Sequence, residues 1–507
     1  MKKKLALLMS TMLLAASIMG CGGDSGSSAQ NSTEGGNAGE TESEAEIPKA
    51  EEETVVGETE DAFKVEEAVE TGGYQKNENL NADEKVTLNV FGPGVFNVGE
   101  EGVTDLNSGI FRPGYKEIID RWNEFYPNVT LEIEAASWDS WQSAITTACL
   151  SGEVDIIMHG ATMTDLTYDL SSYLEQDPEY YDRIYATASR RTTENPDVFK
   201  VSGISVSLSP CVAWLDTKIF EDYGVELPDE GWTYDDVLSL AEQMTGTDPV
   251  TGEQTYGLQM YSMGGSNLWF NYVQAANALG AKVFKYGATI SDCEVDFMVP
   301  ESIAAFQLIA DQSKFVSPGN KEGVAVTTAL NGENDWAILF ADGVVARYFE
   351  MQAAELDGRY VALNMPLCSE GEYKGIPTPH AGDNNMAIYK DSDNKEWAWE
   401  FIKFMTTDEK ATQWVVSNME VPNNKAGKDM VQELVGENLA TAIDNTLNTL
   451  PEYYNNATND VFNNVSFGSV TNTLITAVDN VINETMTPEE AAQSMQDYVD
   501  EYISTLN

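Results

Sequence analysis

The chain has 507 residues, 83 of them acidic and 28 basic, with a formal net charge of −55 at neutral pH. Phosphate binding needs clustered Lys and Arg, so this composition argues against nucleic acid as a partner. With 42% hydrophobic and 10% aromatic residues the chain can build sizeable cores, and the roughly 420 residues beyond its polar N-terminal stretch exceed one small core and fit two domains.

Lys2, Lys3 and Lys4 form a basic start, and Leu5 to Ile18 form an apolar run too short to span a bilayer comfortably. Ile18-Met19-Gly20-Cys21 then looks like a bacterial lipobox. Residues 1–20 are therefore expected to be a removed signal peptide, with lipid on Cys21 holding the mature chain at the extracellular face of the cell membrane. Residues 21–84 are rich in Gly, Ser, Asn and Glu. They bury too little apolar surface to offset the entropy of ordering, so an acidic disordered tether is expected, about 45 Å in r.m.s. span.

The globular part opens with Val86, Leu88 and Val90 alternating with polar residues, a strand, broken by Phe91-Gly92-Pro93-Gly94. Tyr115, Ile118, Ile119, Trp122, Phe125 and Tyr126 recur at helical spacing up to Pro127-Asn128. Val129, Leu131 and Ile133 alternate as a second strand. Ser137 can cap a helix through about Leu150, with Gly152 past its end, and Val154 to Met158 is a short buried strand. The order is β-α-β-α-β, the pattern of a doubly wound parallel sheet. Later, Thr233 can cap a helix carrying Val237, Leu240, Ala241 and Met244, followed by a candidate strand from Tyr256 to Tyr261. Ala398, Phe401, Ile402 and Met405 share one helical face. Thr487-Pro488-Glu489-Glu490 is a capping box opening the last helix.

Cys149, Cys211, Cys293 and Cys368 are widely spaced, with no CxxC pair. Four cysteines allow three pairings and the spacing selects none; buried free thiols are the expectation. His159 and His380 are the two histidines, and no HExxH or Cys/His cluster suggests zinc. No GxSxG, SxxK or P-loop occurs, and with 83 acidic residues a glycosidase-like carboxylate pair carries no information.

The order of segments resembles the family 1 extracellular solute-binding proteins of ABC importers. IIDRWNEFYPNVTLEIEAASWDSWQSAITTACLSGEVDIIMHG is similar to that family's first lobe, and AWLDTKIFEDYGVELPDEGWTYDDVLSLAEQM to the passage into its second. WAILFADGVVARYFE and NKEWAWEFIKFMTTDEKATQWVVSNMEVPNNKA resemble two later segments. Departures stand at Asp216-Thr217-Lys218, Val345-Ala346 and Pro379-His380-Ala381-Gly382. The resemblance implies a periplasmic-binding-protein type II fold: two doubly wound α/β lobes joined by a hinge, with the ligand in the cleft. It places lobe 1 at residues 85–210 and 385–425, and lobe 2 at 211–384 and 426–507. It implies a carbohydrate ligand, ABC permease subunits as partners, no organic cofactor, a monomer and no catalysis. A phosphosugar, polyol or peptide is the alternative solute, and a secreted glycoside hydrolase the alternative from another class.

In open α/β sheets, ligands settle beyond the carboxyl ends of strands. Flat rings with nearby carboxylates and amides suit sugars, because a pyranose C–H face packs on the ring while Asp, Asn and His bond hydroxyls. The residues expected at the cleft are Phe96 after the first strand, Trp138 after the second and His159 after the third. Trp214 is expected at the first crossover, Trp269 after a glycine loop, Trp336 and Tyr348 about a later strand, and His380, Asp383 and Asn384 at the second crossover. Trp122, Trp141, Trp397 and Trp399 are read as packing.

Overall fold

The computed structural model describes residues 73–138, 141–161, 163, 166–185, 187–191, 199–260, 268–285, 294–321, 330–371, 373–378, 381–455 and 468–505. Alternation in β1 (Val86–Gly92) buries Val86, Leu88 and Val90 on one face. A small hairpin, β2 (Val103–Thr104) with β3 (Phe111–Arg112), precedes the helix Lys116–Phe125, which turns Ile118 and Trp122 inward. β4 (Val129–Ala135) lies parallel to β1 with Val129 opposite Val86. The next helix runs Trp141–Ser151, four residues past Ser137, the expected cap; 139–140 lie outside the described residues. β5 (Ile156–Met158) then pairs parallel to β1 on its other side.

The expected parallel unit is thus β4-β1-β5, and the chain extends it with antiparallel neighbours. β6 (Thr187–Arg191) pairs with β7 (Phe199–Pro210), and the first sheet has the order β16-β7-β15-β5-β1-β4, where β15 is Ala381–Ile388 and β16 is Val421–Pro422. β15 is antiparallel to both β5 and β7. The second sheet has the order β14-β8-β13-β10-β9, from β8 (Val212–Asp216), β9 (Gly246–Thr247), β10 (Gln254–Gln259), β13 (Trp336–Ala341) and β14 (Tyr360–Leu363). Only its β10–β13 pair is parallel. Two short strands between these, β11 (Phe284–Lys285) and β12 (Glu294–Val295), form a separate hairpin.

A single residue, Cys211, separates the end of β7 in one sheet from the start of β8 in the other. The returning strand β15 lies beside the outgoing one, with Ala381 opposite Pro210. Reversal at the crossing explains the antiparallel strands: the chain leaves and re-enters by the same door in opposite senses.

The first sheet buries Leu88, Trp122, Phe401 and Ile402 between its strands and the helices Lys116–Phe125 and Lys395–Thr407. The second buries Leu258, Phe306, Ile338, Val478 and Met495. A third apolar cluster joins them, in which Leu208, Val212, Trp214 and Trp336 meet Val431, Leu439 and Ile443 of the helical stretch Gly427–Asn455, which is broken by a kink at Gly436. Both sheets belong to one compact unit from Phe63 to Asn507.

The helix starts follow their local chemistry. Thr233 N donates to Asp236 Oδ2 at 2.8 Å while Thr233 Oγ1 accepts from Asp236 N at 3.4 Å, and Thr487 and Glu490 exchange the same pair of bonds. The strand expected at Tyr256–Tyr261 begins two residues earlier, as β10. The tether expected to end at residue 84 has a seated end: Tyr74 N donates to Thr407 O at 3.1 Å, and its ring meets Phe125 and Phe404 edge-on. Composition missed this because one aromatic residue in a polar stretch is enough to dock when a pocket of rings awaits it. Cys149, Cys211 and Cys368 are buried free thiols, and burial pushes the Cys149 and Cys368 thiols up to about 11; Cys293 lies outside the described residues. Among the described residues no helix is long and apolar enough to cross a membrane.

Candidate functional site

The carboxyl end of β5 pairs with β15, and the loop after β1 reaches β15 at Asn384. β1 ends in bare backbone. A Cβ on Gly92 would lie 2.5 Å from the Met158 carbonyl oxygen, and one on Gly94 would lie 3.2 Å from Asn384 Oδ1. Both glycines have positive φ, 130° and 143°, so the loop approaches β5 and β15 more closely than a side chain permits. Asn97 fixes this loop: its Oδ1 accepts from Gly94 N at 3.1 Å, and its Nδ2 donates to Ala136 O beyond β4 at 3.3 Å.

Trp138 follows β4 with its residue 48% exposed. The His159 ring lies edge-on between Trp138 and Trp141, 5.0 Å from each ring centre. His159 sits at φ 56°, an uncommon conformation for a residue with a side chain, and its backbone N–H donates to Asn385 O at 2.6 Å. That bond ties the aromatic group to β15.

β15 carries a register shift between Asn384 and Asn385. Beside it, Ser205 Oγ of β7 donates to Asp383 Oδ2 at 2.7 Å, and Asn384 Nδ2 donates to Ser207 Oγ at 2.9 Å. Ser207 and Ser209 hydroxyls both donate to Glu420 Oε2 at 3.4 Å. Burial pushes the Glu420 carboxyl up to about 7; Arg112 and the two serines pull it down, and Asp342 pushes it further up. Arg112 Nε is buried without a hydrogen-bond partner.

The expected cleft residues divide. Trp138, His159, Asp383 and Asn384 are brought together. Phe96 is buried in the first core against Tyr115 and Trp414. Trp214 and Trp336 are buried in the joining cluster. In this conformation none of the three rings faces solvent: Phe96 is enclosed in the first core, and β8 and β13, which carry Trp214 and Trp336, are covered on both sides. Tyr348 is half-buried on the helix Val344–Ala353, edge-on to Phe349, and Trp269 opens the helix Trp269–Leu279, stacked on Phe270 at 3.8 Å. His380 lies outside the described residues. Trp141, read as packing, does pack against the cluster of Ile145, Cys149 and Ile157 while also meeting the His159 ring; sequence reasoning passed over Ser205, Ser207, Ser209, Glu420 and Arg112. The serine alternation in SVSLS was the available signal, since it marks one face of a strand. Among the described residues no cluster of acidic, histidine or cysteine side chains could hold a metal ion.

Two mixed α/β sheets joined at crossing strands, with loops converging at the junction, define the type II periplasmic-binding-protein class. Residues 108–412 match the family described as bacterial extracellular solute-binding protein, and the chain belongs to that family. A curated relative, an uncharacterized lipoprotein from Streptomyces antibioticus, is 26% identical over 141 residues, which are 26% of this chain and 30% of that protein's length. An ABC substrate-binding protein from Listeria monocytogenes in complex with cycloalternan shares the fold at TM-score 0.58 and 18% identity, covering 83% of this chain and 100% of that one. A solute-binding protein from Agrobacterium radiobacter in complex with ribitol does so at TM-score 0.61 and 14% identity, covering 82% and 99%.

Proposed function

We propose that this protein is the substrate-binding component of an ABC importer and that it captures a carbohydrate, an oligosaccharide in the first instance, where the two sheets join. Residues 85–210 with 385–425 and residues 211–384 with 426–507 act as two lobes. Solute stabilises their closed arrangement, and a permease reads that arrangement. The chain works as a monomer at the extracellular face of the cell membrane, held by lipid on Cys21. It passes its solute on unchanged, with no catalytic step and no cofactor.

The observation that carries this reading is the Trp138–His159 pair: a half-exposed indole beside an imidazole, next to bare backbone at Gly92–Gly94 and the amide and carboxylate of Asn384 and Asp383. An indole offers a flat face to sugar C–H groups, and the polar groups accept and donate to hydroxyls. Trp269 and Tyr348 are the candidates on the second lobe. The cycloalternan bound by the Listeria protein supports an oligosaccharide, and the ribitol of the Agrobacterium protein favours a polyol as the second reading.

Calorimetry and thermal shift with a panel of linear and cyclic oligosaccharides and polyols test it. An oligosaccharide is expected to raise the melting temperature and to be recovered intact. A response to polyols alone supports the second reading; silence across the panel, or hydrolysis of the sugar, overturns the proposal.

A further inference from the structure

Glu420 stands where three separately anchored pieces of chain converge. The first is β7, whose Ser207 and Ser209 hydroxyls reach its Oε2. The second is the β2–β3 hairpin, which brings Arg112. That hairpin is fastened at both ends. Its base accepts from Trp414 Nε1 at Gly114 O, 3.0 Å, and from Asn418 Nδ2 at Pro113 O, 3.2 Å. Near its tip Asn107 Nδ2 donates to Glu350 Oε1 at 3.2 Å, on the helix Val344–Ala353 that follows the second sheet's β13. The hairpin therefore straps the first half to the second. The third piece is the turn after β13, which brings Asp342. Its carbonyl accepts from Arg347 Nε at 2.9 Å, and its carboxylate would lie 3.7 Å from a Cβ on Gly382, the residue opposite Ser209 in β15.

We propose that Glu420 is a proton-controlled brace between the two halves. Ionised, it draws in the Arg112 guanidinium and repels the Asp342 carboxylate. Protonated, it does neither. The seating of the hairpin and the closeness of the Asp342 turn then follow one proton.

Several observations support this. The charged groups with the largest effect on Glu420 are Arg112 from the hairpin and Asp342 from the turn, while Ser207 and Ser209 of β7 contribute hydroxyls. The two charges come from opposite sides of the joint, so a change at Glu420 acts on the relation between halves rather than within one. Arg112 Nε is buried without a hydrogen-bond partner, which leaves the guanidinium a donor to satisfy. Burial raises the carboxyl to about 7, which puts its charge change within the ordinary environmental range. The inference goes beyond the solute reading and its test requires no solute, so the two stand or fall separately.

Hydrogen–deuterium exchange of the solute-free protein at about pH 6 and about pH 8, corrected for intrinsic rates, tests it. In the wild type the hairpin amides 101–112 are expected to be severalfold better protected at the higher pH, and the amides 341–347 less protected. Glu420→Gln and Arg112→Gln should each flatten the hairpin response, with circular dichroism confirming that they fold. A wild-type profile that the Glu420→Gln variant reproduces overturns the brace. Should the variants fail to fold, carbon-detected titration of the wild-type glutamate carboxyls decides: a carboxyl with its midpoint between about pH 6 and 8 supports the proposal, and its absence overturns it.

Discussion

The phenol of Tyr74 donates its hydrogen bond to Oε1 of Glu400, a carboxylate wholly buried on the helix Lys395–Thr407. Tyr126 donates to the same oxygen at 2.9 Å, and Lys403 Nζ lies 3.0 Å from Oε2. The acid is buried because it is surrounded by donors and a cation. Burial, then the Glu400 charge, pushes the Tyr74 phenol far above its ordinary range, so it keeps its proton through the alkaline range. Tyr74→Phe is expected to cost about 1–2 kcal/mol in urea unfolding, since Tyr126 and Lys403 remain. Tyr74→Ala should cost more by losing the edge contacts with Phe125 and Phe404, and should speed proteolysis near residue 74.

Trp138 and Trp214 both follow or lie in strands, and their variants separate site from core. Trp138→Ala should weaken oligosaccharide binding at least tenfold while leaving the melting temperature within a few degrees, because its ring is half in water. Trp214→Ala removes a buried ring between β13 and β14 and should cost about 3–5 kcal/mol. Equal loss of stability in both variants contradicts this division.

Glu420 makes stability depend on pH. Its folded value of about 7 lies above the ordinary 4.5, so the folded state holds the proton more tightly than the unfolded one. Stability is therefore expected to fall as pH rises between these two values, with the full penalty present above the higher one. Glu420→Gln removes it. Above neutrality the variant should be the more stable by on the order of 2 kcal/mol, and near pH 4 the two should coincide. Chemical denaturation across that range is the check.

Arg359 holds a wholly buried carboxylate. Its Nη2 donates to Asp216 Oδ2 at 2.9 Å, Asn334 Nδ2 donates to the same oxygen at 3.0 Å, and Asp216 Oδ1 caps the helix Thr217–Tyr223 through Lys218 N at 3.0 Å. Arg359→Ala should strand the charge and cost about 3–5 kcal/mol; restoring part of that in the Arg359→Ala, Asp216→Asn double variant measures the coupling.

Cys21→Ala should leave the protein unprocessed or release it from the membrane, read by fractionation and by incorporation of labelled fatty acid. Retention with label unchanged contradicts the anchor.

The helix with Ala398, Phe401, Ile402 and Met405 on one face and the caps at Thr233 and Thr487 were legible because each depends on residues within one or two turns of each other, and the parallel unit β4-β1-β5 was legible from the β-α-β-α-β order. The site was legible only in part. Trp138, His159, Asp383 and Asn384, expected because they follow strand ends or stand at the crossover, are near one another in the fold. Phe96, Trp214 and Trp336 looked alike in sequence, but a strand's period of two tells which side chains share a face and not whether that face is covered. The shift at Asn384/Asn385 and the hydrogen bonds joining Asp383 and Asn384 to serines of β7 have no signature in composition or spacing.

By itself the sequence determined the local elements, the order in which they occur and, through that order, the family, because hydrophobic periodicity and capping act over a few residues. Only the tertiary structure decided which indoles meet water, that Tyr74 is docked, and that Glu420, Arg112 and Asp342 from three distant segments share one joint. Burial and the field at a carboxyl are set by neighbours hundreds of residues away, and those neighbours exist only once the sheets have closed upon each other.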